Sequence, residues 1–262
     1  MALRFSTRTW RGNQYHDYYL DKVKVPGVTT ILNKGLAKPF LVDWAARTVA
    51  EFVADHPDDI DALRRLGRDS MVDGLKGAHR TARDTAATKG TAVHELAAKV
   101  VHGEQVEVPE HLWPYVNGYV KWLEEFDVQP HLTERVVANR KWGYAGTFDL
   151  IATLGRGPWA GRTPLLDIKT GKSVYGETSL QLAAYARAEF YLDDDQAETV
   201  MPGIDCTAVV HVTDEGTVMF PAATTTQQVD EHFKVFTHVA YLAKRVEWIG
   251  EQIGAPMNGD DQ

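Results

Sequence analysis

Asp149 and Asp167 each sit in or at the end of a short apolar run, and Lys169 follows the second aspartate by two positions. The runs, residues 144–154 and 164–169, both read as strands. Side chains alternate along a strand, so Asp167 and Lys169 share a face with Leu165 while Leu166 and Ile168 take the other. The intervening segment, residues 155–162, is rich in turn residues and short enough to make the strands antiparallel neighbours, which would bring the two carboxylates together. Ionised carboxylates side by side repel unless a cation or a shared proton compensates, and an oxygen-rich site suits a hard cation such as magnesium or manganese. Such a site can hydrolyse a phosphodiester. That reaction needs a Lewis acid on the phosphate, a positioned water, and positive charge near the developing phosphorane, which Lys169 would supply. An unperturbed lysine titrates near ~10.4, so the expected role is orienting water and stabilising charge; a general-base role requires a depressed pKa.

Two helices bring further groups. His94 lies in a good helix-forming stretch whose Val93, Leu96, Ala97 and Val100 make one apolar face, with Thr91 as a capping candidate and Gly90 permitting close backbone approach. Its imidazole is either a further ligand or a helix-surface or core histidine. Beyond Gly171 a second helix is expected over residues 177–191, where Gln181 and Tyr185, four apart, project from the same face. Their amide and hydroxyl can orient the lysine or touch a phosphate, although a tyrosine in this place is also ordinary packing. The common fate of a lone DxK, Asp167 paired with Lys169 or Lys172 on a solvated face, is the plain alternative for that strand.

Together, Gly90-Thr91-Ala92-Val93-His94, Gly146-Thr147-Phe148-Asp149, Asp167-Ile168-Lys169 and Gln181-Leu182-Ala183-Ala184-Tyr185 resemble the RecB-type branch of the PD-(D/E)XK nuclease superfamily, which includes phage exonucleases and the CRISPR-associated RecB-like nucleases. The resemblance covers residues 88–191. It implies that His94, Asp149 and Asp167 bind magnesium or manganese, with the Ile168 carbonyl as a further ligand. It also implies that Lys169 acts on the water and that Gln181 and Tyr185 support the site. The fold it implies is α/β, a restriction-endonuclease-like mixed β-sheet flanked by helices. Phe148 stands where the superfamily name has proline. Cys206 is the single cysteine, so a four-cysteine iron-sulfur cluster within this chain is excluded, and helicase motifs are missing. The stretch Val25-Pro26-Gly27-Val28-Thr29-Thr30-Ile31-Leu32 also looks like openings seen in phage-encoded nucleases. Glu134, on an expected strand over residues 131–139, is either an additional acid of the site or a solvated strand residue.

The chain has 262 residues and a net charge of −8, which by itself argues against a polyanionic partner. The charge is unevenly placed, however: residues 189–262 carry 14 acids against three Lys or Arg, leaving the rest net positive. Arg64, Arg65, Arg68, Lys76, Arg80, Arg83 and Lys89 outnumber Asp69, Asp73 and Asp84 before His94, a patch that can guide a phosphate backbone. Arg80, Arg83, Lys89 and Lys172 are the candidate DNA contacts. The partner expected is DNA, alongside a phage recombination or single-strand-binding protein. No apolar run is long enough to cross a bilayer, the start lacks an apolar signal region, and a cytoplasmic protein is expected. The expected activity is that of a DNA exonuclease in phage replication or recombination. Its alternatives are a structure-specific or restriction-like endonuclease and a non-catalytic DNA-end-binding recombination accessory protein.

The elements that must position these groups are read as a hairpin over residues 15–25, helices over 39–54, 58–75, 75–101 and 110–126, and three strands. The helix carrying Gln181, a strand pair over 206–212 and 217–220, and a long amphipathic helix complete them. In that last helix Val229, Phe233, Phe236, Ala240, Ala243 and Val246 mark the inner face through about residue 253. Tyr115, Tyr119, Trp122 and Phe126, at helical spacing, are read as core. The organisation expected is an N-terminal hairpin and helical addition (1–75) packed on the core, a nuclease core with its C-terminal helix (76–255), and a flexible tail (256–262).

Overall fold

The structure is a computed structural model and describes residues 2–10 and 13–254, without the side chains of 9, 10 and 13–15. The expected tail therefore lies outside the described residues. A small antiparallel sheet opens the chain: β1 (Leu3–Trp10), β2 (Asn13–Leu20) and β3 (Val23–Val25). Helices α1 (Val28–Gly35), α2 (Phe40–Asp55), α3 (Pro57–Arg65) and α4 (Arg68–Val100) follow, then α5 (Trp113–Phe126) after a 3-10 turn. The main sheet comes from β4 (Val128–Asn139), β5 (Tyr144–Leu154), β6 (Leu165–Lys169), β7 (Phe190–Leu192), β8 (Glu198–Val200), β9 (Thr207–Val212) and β10 (Thr217–Ala223). Helix α6 (Glu177–Ala186) follows β6, and α7 (Thr226–Gly250) ends the fold.

The seven strands run in the order β10-β9-β6-β5-β4-β7-β8. Only β6 and β9 pair in parallel; the other neighbours are antiparallel, so this is the mixed sheet flanked by helices that the sequence suggests. One face carries α1, α6 and α7 over Phe148, Leu165 and Val209. The other carries α4 and α5 over Leu150, Leu166, Ile168 and Val210, and here Tyr115, Tyr119 and Trp122 are buried as expected of core. A third cluster joins the small sheet to β4, β5 and β7 through Tyr18, Ala138, Ala145 and Phe190.

Four departures from the expected elements have physical causes. The expected boundary at 75/76 falls inside α4, one unbroken 33-residue helix. Such a length needs support, which α2 and α3 give by packing along its first half. The helix carrying Gln181 ends at Ala186 and not at Tyr191, because Phe190 and Leu192 are buried against the small sheet while Tyr191 pairs with Val137. Tertiary burial overrides helix propensity there, and the short strands β7 and β8, with β8 at the sheet edge, are absent from the sequence reading, as are β1 and α1. In α7 the inner face holds Val229, Phe236, Val239, Ala240 and Ala243, whereas Val246 is 47% exposed because the helix outruns the sheet it covers.

One irregularity positions the site. In β5, Tyr144 and Phe148 pack in the α1/α6/α7 core, but Leu150, Ala152 and Leu154 belong to the core under α4 and α5. Residues of equal parity thus change sides at Asp149. The residue opposite in the β4–β5 ladder is Glu134, between the pairs Thr133↔Leu150 and Arg135↔Phe148, and its φ is +51°, in the left-handed region that residues other than glycine seldom visit. Backbone conformations of this kind persist only where their surroundings impose them, and they concentrate at functional sites.

Candidate metal centre

The sheet also opens at this point. β5 and β6 pair at Leu150↔Leu166 and Ile151↔Leu165 and no further, so past Leu150 the Ile168 N–H has lost its strand partner. Asp149 supplies one: its Oδ2 accepts from Ile168 N at 2.6 Å. The backbone amide of Ile168 therefore engages Asp149. A peptide N–H aimed at a carboxylate favours the charged form and fixes its orientation.

His94, Glu134 and Asp149 each present a ligand atom, and these atoms lie within 4.8 Å of one another. His94 Nδ1 is 3.6 Å from Asp149 Oδ2, too long for a good hydrogen bond and close enough to share an ion. Glu134 keeps an exposed surface, yet withdrawal of its carboxyl from water, followed by the charges of Asp149, Asp167 and Glu95, pushes its pKa up to about 8. Loss of hydration is the larger cause and the facing carboxylates the smaller, and both favour the protonated form. An imidazole and two carboxylates so arranged fit a hard divalent cation of the magnesium or manganese type.

Asp167, grouped with the ligands by the sequence reading, stands apart from this trio. It is 2% exposed; its Oδ1 accepts from Gln181 Nε2 at 3.0 Å, and Lys169 Nζ lies 2.6 Å from Oδ2. The ammonium and this carboxylate form a charged pair at hydrogen-bonding distance. Burial lifts the Asp167 pKa to about 6, opposed by Lys169 and reinforced by Asp149. For Lys169 burial acts downward, but Asp167 and Asp149 outweigh it and the ammonium titrates above its ordinary value. The two shifts state different costs for one pair and agree at neutral pH, where both partners are charged. A lysine so held is a fixed cation, and the condition for a general base is not met.

Gln181 Nε2 also donates to the Tyr185 hydroxyl at 3.3 Å, so α6 contributes a relay from Tyr185 through Gln181 to Asp167 and Lys169. Burial raises the Tyr185 pKa well above that of a free phenol, and the hydroxyl stays neutral. The ring explains Gly146: a Cβ there would lie 2.5 Å from Tyr185 Cε1. That glycine answers to space and not to backbone conformation. Thr147 Oγ1 lies 3.2 Å from the Tyr18 hydroxyl of the small sheet, a link absent from the sequence reading. Gly90 brings α4 against the end of β6, where a Cβ would meet Thr170 Oγ1 at 3.1 Å.

The candidate DNA contacts are spread along and beside α4. Arg80 is exposed, about 21 Å before His94 at 1.5 Å per residue. Arg83 bonds Asp84 through Nε at 3.0 Å and Nη2 at 2.9 Å, so its charge is largely spent. Lys89 donates to the Tyr115 hydroxyl at 2.8 Å, and Lys172 is exposed just past β6. The acid the sequence left undecided, Glu134, had a usable signal. The Arg140-Lys141-Trp142-Gly143 turn fixes the β4–β5 register and sets residue 134 opposite 149.

Against known proteins, no family model matches the chain and no curated protein matches it. Among solved structures, a protein described as the crystal structure of SSO0001 matches at 13% identity, covering 64% of this chain and 89% of that chain, with a TM-score of 0.24. A likeness at that TM-score carries no argument about this chain. No described helix is long and apolar enough to cross a membrane.

Proposed function

We propose that the protein is a divalent-metal-dependent DNA nuclease that hydrolyses phosphodiesters to a 5′-phosphate and a 3′-hydroxyl, acting as an exonuclease in phage DNA replication or recombination in the cytoplasm of a bacterial host. One observation carries the reading. Residues from α4, β4, β5, β6 and α6, as far apart in sequence as His94 and Tyr185, converge where β5 and β6 separate: a trio able to hold a cation stands beside an Asp–Lys–Gln–Tyr relay whose Asp167 and Tyr185 are buried. Buried ion pairs seldom add stability, so this one suits a site better than a scaffold.

A magnesium or manganese ion bound by His94, Glu134 and Asp149 would supply a Lewis acid for the phosphoryl oxygens and for a water. In hydrolysis the water oxygen forms a bond to phosphorus while the bond from phosphorus to the 3′ oxygen breaks; the water gives up a proton and the leaving oxygen takes one. Lys169 remains protonated and places its charge beside the phosphorane, worth about 10²–10³ in rate for one well-placed donor. Asp167 holds that ammonium in position, Gln181 holds Asp167, and Tyr185 keeps Gln181 from turning away. Asp149 is aligned by the Ile168 amide.

The test is digestion of end-labelled linear DNA and covalently closed circular DNA with magnesium or manganese, with a chelator, and with Lys169→Met. Metal-dependent loss of linear DNA alone is the expected result. Cleavage of the closed circle would make the protein an endonuclease, and binding of DNA ends without cleavage under any metal would make it a recombination accessory protein.

A further inference from the structure

Past Lys169 the chain runs through Thr170, Gly171 and Lys172 into a groove of about 620 Å³ at the carboxyl ends of the parallel strands β6 and β9. Ligands of open α/β sheets gather at such strand ends. His211, paired with Lys169 across the two strands, steadies this exit through a 2.7 Å contact between its Nε2 and the Gly171 carbonyl. The groove lies across Gly90 and Thr170 from the hollow that His94 and Glu134 line: Gly90 borders that hollow, a Cβ on it would meet Thr170 Oγ1 at 3.1 Å, and Thr170, on the groove wall, directly follows Lys169.

Its lining carries charges of both signs. On the side of α4 and the β6 exit, Lys89 is held in place by the Tyr115 hydroxyl at 2.8 Å and lies 4.6 Å from that ring's centroid, while Lys172 is exposed and has no ion pair among the described residues. On the side of the β9–β10 turn stand the exposed Asp214 and Glu215. A phosphate is attracted on the first side and repelled on the second. We infer that this groove seats the phosphodiester adjacent to the scissile one, that Lys89 and Lys172 position it, and that the Asp214–Glu215 turn directs the continuing strand out into solvent. The inference rests on the nuclease reading and adds a substrate path to it.

The test uses a fluorescein-labelled single-stranded oligonucleotide, with binding followed by anisotropy in manganese across a salt series and cleavage followed in parallel, for the wild type, Lys172→Ala and Glu215→Lys. Both changed residues are exposed, so the fold tolerates the substitutions. For Lys172→Ala the slope of log affinity against log salt becomes shallower by about 0.7, the value of one single-strand phosphate contact, and KM rises about two- to tenfold with little change in kcat. Glu215→Lys steepens the slope and tightens binding. Wild-type cleavage with unaltered slopes in both variants overturns the groove and leaves the nuclease reading standing. Altered slopes without cleavage by any form support the groove as a nucleic-acid site and overturn the nuclease reading; neither binding nor cleavage by the wild type overturns both.

Discussion

Gly146→Ala tests the architecture of the site without touching a charged group. The added methyl would lie 2.5 Å from Tyr185 Cε1 and 3.3 Å from both Cζ and the hydroxyl oxygen. Tyr185 is 3% exposed and tied to Gln181, so it has nowhere to retreat. Overpacking of this kind costs about 1–3 kcal/mol, which for a chain of this size lowers Tm by roughly 2–10 °C. Tyr185→Leu removes all three clashing atoms, so in that background Gly146→Ala should be nearly neutral. Urea unfolding of the wild type, the two single variants and the double variant closes a cycle whose coupling energy equals the clash, about 1–3 kcal/mol. Additive effects within about 0.5 kcal/mol would refute the claim that Gly146 exists to admit the Tyr185 ring. The same displacement loosens the relay to Asp167, so cleavage by Gly146→Ala should fall by more than its loss of folded protein explains.

Lys169→Met should lower kcat by about 10²–10³ and cost about 3–5 kcal/mol in stability, because Asp167 is left buried without its partner; full activity would remove Lys169 from the mechanism. Glu134→Gln should weaken manganese binding about tenfold or more in calorimetric titration, since affinity follows ligand charge, whereas a merely solvated residue would leave it unchanged. With Asp167 raised to about 6 and Glu134 to about 8, both folded pKa values exceed their unfolded ones. Their contribution to stability is then present below the unfolded values and lost as pH rises through about 6 and then about 8. A divalent cation held by Glu134 binds its deprotonated form, so manganese should raise Tm more near pH 8.5 than near pH 5.5; an equal rise at both would count against Glu134 as a ligand.

Much of this centre is legible in the residues because its spacing is local. Alternation put Asp167 and Lys169 on one face, the i, i+4 rule put Gln181 beside Tyr185, and the turn after Leu154 made β5 and β6 neighbours. What escaped was set by long-range geometry. The separation of the strands after Leu150, which engages Asp149 with the Ile168 amide, depends on packing that no short window contains. The change of sides at Asp149 and the left-handed Glu134 break the strict alternation on which strand reading relies. The end of α6 at Ala186 was hidden because Phe190 and Leu192 answer to the small sheet, some 170 residues earlier in the chain.

Since α4 is one helix from Arg68 to Val100, its length is constrained in a way that a loop of equal size would escape. Adding or deleting one residue between the α2–α3 packing surface and His94 would turn one end relative to the other by about 100° and shift it by about 1.5 Å. Either His94 would leave Asp149 and Glu134, or the stacked helices would lose their seat. Length changes in this segment should therefore be tolerated only near whole numbers of turns, three or four residues together and best seven, and a single-residue indel should disable the site while every one of its side chains is still encoded.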